Sequence, residues 1–210
     1  MLINSMQKDV LTEMINVYIG QAANLLSEMV NQRIILSVPE IELIDVTQED
    51  QTNKHLPPIF SPGHIISSSI GFRQKLQGKA FLLFPAEQAK LLVNACLGED
   101  TAMAENGDPF GFIDTDFDVL KEISNVILNA IIGELSNFLD TRVDYSLPDI
   151  ELIHISESES KILFKDSSYI LLLHTAFLLS DAQVKGVILI ALSMNSVTWL
   201  LEKIDALLEA

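Results

Sequence analysis

The chain has 210 residues, and its 13 Lys and Arg against 29 Asp and Glu give a formal charge of −16, a sign that repels phosphate backbones and anionic lipid headgroups. Hydrophobic residues at 49% against charged residues at 20% exclude a disordered chain and supply enough apolar surface for a core. The single Cys96 excludes an internal disulfide and a Cys-rich zinc site.

The opening MLINSMQKDVL lacks the basic and apolar stretches of an export signal, so a cytoplasmic protein is expected. A first helix is expected to start at Asn4, with Gln7 three residues on, and to run through a long amphipathic stretch. Pro39 falls in the strand that follows, which implies an edge position or a bulge there. Gly78 opens an apolar strand, Pro85 suits the first turn of the next helix, and Gly98 closes it. The acidic stretch up to about residue 115, punctuated by Gly and Pro, reads as a linker or surface loop. A second long helix is expected from Thr115, with Asp118 in its first turn, and Pro148 lies in the strand after it. Tyr169 to Leu179 and Gly186 to Leu192 are far shorter than the roughly 20 residues needed to cross a bilayer, and read as buried strands before a last helix.

Internal similarity organises these elements. Residues 9–44 align without a gap on residues 118–153, at an offset of 109, and match at 15 of 36 positions, including E-x-x-N-V, a proline and a closing I-E-L-I. Ordinary residue usage would give about two or three matches. Each unit reads helix, strand, strand, strand, helix. The expected fold is therefore α+β and internally duplicated. A central antiparallel sheet with pseudo-two-fold symmetry carries two long helices on one face, and residues 1–210 make one domain of two repeats, about 1–98 and 116–210.

At about 100° per residue, Leu11, Met14, Ile15, Tyr18, Ile19, Leu25, Leu26 and Met29 cluster on one side of the first helix, and Glu13, Asn16, Gly20, Ala23, Asn24 and Ser27 lie opposite. In the second, Leu120, Ile123, Ile127, Leu128, Ile131, Leu135 and Phe138 oppose Glu122, Asn125, Asn129, Ile132, Gly133 and Ser136. The repeated Glu and Asn are thus expected to point outward, one turn apart, on a stripe of mostly small residues that lets another surface approach.

This pattern, D-x-x-x-E-x-x-N followed by a small-residue helix and a proline in the next strand, occurring twice, resembles the CheC/CheX/FliY family of chemotaxis phosphatases in its two-site form. The resemblance implies a phosphatase acting on the aspartyl phosphate of a CheY-type response-regulator receiver, with Glu13, Asn16, Glu122 and Asn125 as catalytic residues. Gly20, Ala23, Asn24, Asn129 and Gly133 would form the docking stripe around them. It implies no cofactor of the chain's own, the Mg²⁺ being carried by the receiver. The Asn would position an in-line water and the Glu would pair with the receiver's Lys. Alternatives are a binding module without turnover and a scaffold for a partner such as the deamidase CheD. The bulky neighbours Ile15 and Tyr18 at the first site fall on the core side of the wheel, whereas the second has the small Ser124.

Other chemistries lack support. His55, His64, His154 and His174 are scattered, with no metal-ligand spacing among them, and His174 reads as a strand residue with a local hydrogen bond. Cys96 reads as a small core residue and Trp199 as a packing anchor. The acidic segment from Glu99 to Asp118 reads as a solvated loop rather than a cation site. No phosphate-binding glycine loop or hydrolase elbow is present.

Overall fold

The computed structural model describes residues 3–46, 63–98, 111–155, 168–179 and 182–209. Asn4 caps helix α1 (Ser5–Val30) in both directions. Its side chain accepts from the Gln7 amide at 2.9 Å, and Gln7 Oε1 accepts from the Asn4 amide at 3.0 Å, satisfying two donors the helix would otherwise leave open. Strands β1 (Ile35–Asp45), β2 (Gly63–Gln74) and β3 (Gly78–Pro85) follow, then α2 (Ala86–Leu97), closed by Gly98 in the left-handed conformation. The second unit comprises α3 (Asp114–Phe138), β4 (Val143–Tyr145), β5 (Asp149–Ile155), β6 (Tyr169–Leu179), β7 (Ala182–Leu192) and α4 (Met194–Leu208).

Both long helices end in the same way. Asn31 and Asp140, which occupy matching positions of the repeat, take left-handed φ of 50° and 49°. The next amide in each case bonds back into the helix, Gln32 to Ser27 O at 3.1 Å and Thr141 to Ser136 O at 2.9 Å. Asn and Asp tolerate this backbone better than other side chains do, which lets each helix turn into its first strand without a glycine.

Among the described residues, seven strands form one antiparallel sheet in the order β1-β6-β7-β3-β2, with β4 and β5 both pairing β2 on the far side. β1 of the first unit pairs with β6 of the second, and β5 of the second pairs with β2 of the first, so the units exchange their outer strands. At the centre β3 pairs β7, and Phe81 lies opposite Leu189, each the third residue after its opening glycine, as an approximate two-fold between the units requires. Gly78 is needed there, because a Cβ would meet the Ala191 carbonyl oxygen at 2.1 Å.

Side chains alternate along the strands. Leu82, Ile188 and Ile190 join Leu11, Ile15, Ile19 and Leu26 of α1, Ile123, Ile127 and Ile131 of α3, Leu92 of α2 and Ile204 of α4 in the main core. Phe81, Leu83, Leu172 and Leu189 form a second cluster on the opposite face. Each fully buried aliphatic side chain contributes about 1.5–3 kcal/mol.

Several expectations need correction. The second long helix begins at Asp114, with Ile113 as its cap residue, and its first-turn carboxylates are Asp114 and Asp116 rather than Asp118, Asp116 being the one that accepts from the Ile113 amide. Pro85 ends β3 and precedes α2. Pro39 sits at the register shift between Ser37 and Glu40 on edge strand β1, whereas Pro148 lies in the gap between β4 and β5 and splits what was expected to be one strand. Leu25 and Met29 are 54% and 42% exposed, while Ala23, Ile132 and Ser136 are buried. Ala23 and Ile132 are matching positions of the repeat. α1 and α3 pack against each other as well as the sheet, so each buries a wider arc than a single apolar stripe. Most of the acidic loop, and His55, lie outside the described residues.

Candidate functional site

The sheet holds α1 and α3 side by side, and the core stripe of each helix dictates where its polar residues point. Leu11, Ile15 and Ile19 anchor α1 inward and leave Glu13 and Asn16 exposed, and neither makes a hydrogen bond or ion pair among the described residues. Ile123 and Ile127 anchor α3 in the same way, leaving Glu122 exposed and Asn125 half-buried. Ile15, the bulky neighbour at the first site, is fully buried and does not obstruct it. Tyr18 is half-buried, and desolvation together with the nearby Glu134 carboxylate raises its phenol above the ordinary value. Ser124 is buried and donates to Leu120 O at 2.6 Å, so its hydroxyl is committed to its own helix.

The expected docking residues divide. Asn24 is exposed, and nothing lies within 4 Å of where a Cβ on Gly20 would sit. Ala23 is corrected, because at 6% exposure it belongs to the core and forms the floor of the stripe rather than its outer surface. A groove of about 590 Å³ runs beside Gly20, Ala23, Asn24 and Ser27 to Arg33 and Leu36 at the start of β1. Ser27 forms its wall, accepting from the Ile34 amide at 2.9 Å and donating to Ala23 O at 2.7 Å, which pins β1 to the helix. In the second unit Tyr145 stands where the first has Leu36, and its hydroxyl lies 3.5 Å from the Cβ position of Gly133. Burial raises that phenol too. Asn129 is not free for docking, since its Nδ2 donates to Asn125 Oδ1 at 2.6 Å.

The remaining candidates lie elsewhere. Cys96 is partly buried against the core, and desolvation pushes its thiol up to about 11, so it is protonated and a poor nucleophile at neutral pH. Trp199 packs against the core with Lys75 Nζ 5.7 Å from its ring. His174 is a β6 residue whose Nε2 lies 3.5 Å from Glu42 Oε1 on the neighbouring strand. Spacing along the chain did not anticipate that His64 and His154 would face each other across β2 and β5, with ring centroids 4.7 Å apart. Only strand register brings them together. Among the described residues no three His, Cys, Asp or Glu side chains form a metal-binding group, and no helix is long and apolar enough to cross a membrane.

No protein-family model matches the chain. Over 157 residues, 75% of the chain, it is 18% identical to the flagellar motor switch phosphatase FliY of Bacillus subtilis (strain 168), and it spans 38% of that protein's length. Its fold is that of FliY from Thermotoga maritima, with a TM-score of 0.74 and 15% identity, covering 98% of this chain and 99% of that one. FliM in the FliG-FliM complex from H. pylori has the same fold, with a TM-score of 0.63 and 13% identity, covering 95% of this chain and 100% of that one. The resemblance to the CheC/CheX/FliY proteins is thus borne out in sequence and fold.

Proposed function

We propose that this chain, built on the fold of FliY and FliM, hydrolyses the aspartyl phosphate of a CheY-type receiver, using Glu13 with Asn16 and Glu122 with Asn125 as two sites. The observation that carries this is the outward, accessible placement of an acid and an amide one turn apart at matching positions of both long helices. The name of the Bacillus subtilis relative, a flagellar motor switch phosphatase, supports the same chemistry.

The receiver would bring its own Mg²⁺ and Lys to the phosphoryl group, which leaves placement of a water in line with the P–O bond as the missing element. A carboxamide suits that task, because its oxygen accepts from the water while its NH₂ donates, without acting as a strong base. Water oxygen bonds to phosphorus, the bond to the receiver's carboxylate breaks, and inorganic phosphate leaves. Glu13 or Glu122 would pair with the receiver's Lys and fix the register. The acidic character of the chain suits a partner that presents a cation beside its reactive group.

A second reading is a binding module without turnover, favoured by the FliM neighbours, one of them seen in complex with FliG. A CheD-type deamidase as partner rests on the family resemblance alone. The deciding experiment measures phosphate release from a phosphorylated receiver by wild type, by Glu13→Ala/Asn16→Ala, by Glu122→Ala/Asn125→Ala and by the quadruple variant. Lower rates for each pair and none for the quadruple variant, all with native circular dichroism, are expected. Full turnover in the quadruple variant would refute these four residues as the sites, and a wild type that releases no phosphate would leave the binding module standing.

A further inference from the structure

The two sites differ in how their asparagines are held. Asn129, one turn beyond Asn125, donates Nδ2 to Asn125 Oδ1 at 2.6 Å, whereas its own Oδ1 is buried with no hydrogen-bond partner. The matching residue in α1 is Gly20, which offers Asn16 nothing, and Asn16 makes no hydrogen bond among the described residues. An exposed carboxamide turns broadly about its last torsion, so Asn16 samples many orientations while Asn125 is restrained to few. A buried acceptor without a donor is costly, and a helix built for stability alone would carry Ala at that position.

We propose that Asn129 is a positioning residue that fixes the carboxamide of Asn125, so that the second site is preset to hold water while the first must order Asn16 at each docking. This rests on the reading of Glu-x-x-Asn as the water-positioning site. The bond occupies one lone pair of Asn125 Oδ1, leaving the other lone pair and both N–H donors for the water and the phosphoryl oxygens. Presetting acts on the chemical step, because an orientation already fixed before docking need not be ordered in the transition state.

The test uses the full chain with the first site disabled by Glu13→Ala/Asn16→Ala and a phosphorylated receiver as substrate. Asn129→Ala is expected to lower kcat about tenfold with KM unchanged, and to leave thermal stability unchanged or higher, since it removes the orphan acceptor. Asn129→Asp has nearly the same shape without the N–H donor and is expected to lose as much. Conversely, Gly20→Asn in the Glu122→Ala/Asn125→Ala background is expected to raise kcat at the first site, where the Cβ position is open. Independently of turnover, the side-chain NH₂ resonances of Asn125 should report an ordered amide in wild type and an averaged one in Asn129→Ala. Turnover at full kcat in Asn129→Ala would overturn the positioning role while leaving the phosphatase intact. A fall in stability matching the fall in rate would overturn it too, as a packing residue. A wild type without turnover would sink the phosphatase and the positioning role together.

Discussion

Gln7 at the start of α1 donates its Nε2 to Asp205 Oδ1 of α4 at 2.7 Å, across a sequence separation of 198 residues. The matching residue of the second unit, Asp116, does the equivalent for α3, accepting from Lys90 Nζ of α2 at 2.6 Å and from the Ile113 amide at 2.9 Å. Each N3 residue therefore caps its own long helix and ties it to the short helix of the other unit. The Asp116 carboxylate is 1% exposed, so truncation removes a cap and leaves Lys90 without its counter-ion. Asp116→Ala is expected to cost about 2 kcal/mol in urea unfolding, and Gln7→Ala about 1 kcal/mol. Equal midpoints for wild type and Asp116→Ala would show that the tie contributes nothing.

Two glycines should respond in opposite directions to the same substitution. Gly78→Ala drives a methyl into the Ala191 carbonyl at the centre of the sheet, where β3 cannot move away without breaking its pairing with β7. A loss of about 3 kcal/mol or more is expected. Gly20→Ala meets open space on a helix and should gain about 0.5–1 kcal/mol by restricting the unfolded chain. Thermal midpoints of the two variants, measured side by side, check both signs.

The raised thiol of Cys96 makes a pH prediction. Its folded value of about 11 lies above the ordinary 9.0, so the folded state retains the proton where the unfolded state has lost it. The contribution to stability is intact below pH 9 and declines as pH rises from about 9 to 11. Labelling by a thiol reagent at pH 8 should be slow in the folded protein and fast in urea. Cys96→Ala should flatten the loss of stability across that window.

Duplication made the architecture legible. Two helices in register, each carrying Glu and Asn opposite its Ile and Leu positions, make the outward placement of Glu13, Asn16, Glu122 and Asn125 readable from the pattern alone. What escaped was set by contacts that periodicity does not encode. A helical wheel reveals the stripe facing the sheet, but Ala23 and Ile132 are buried because each long helix is covered on a second side. Asn31 and Asp140 ending their helices was readable in principle, since Asn and Asp are the side chains that tolerate that backbone. The exchange of β1 and β5 between units, and the meeting of His64 with His154, depend on long-range register. The bond between Asn129 and Asn125 lies at helical spacing, and the absence of an Asn at Gly20 was its signal.

Val17 offers a test of docking separate from chemistry. It is 55% exposed, lies one turn beyond Glu13 on the outward face, and flanks Asn16, while its match in the second unit, Val126, is partly buried against the core. A receiver seated over the first site would cover Val17, and burial of such an apolar contact at an interface centre contributes on the order of 1 kcal/mol or more. With the second site disabled by Glu122→Ala/Asn125→Ala, Val17→Glu should raise KM for the phosphorylated receiver about five- to tenfold and leave kcat near its starting value. With the first site disabled instead, the same substitution should change neither constant, because the two long helices present their sites separately. An equal rise in KM in both backgrounds would mean that the partner spans both helices at once, and the notion of two independent sites would then fail.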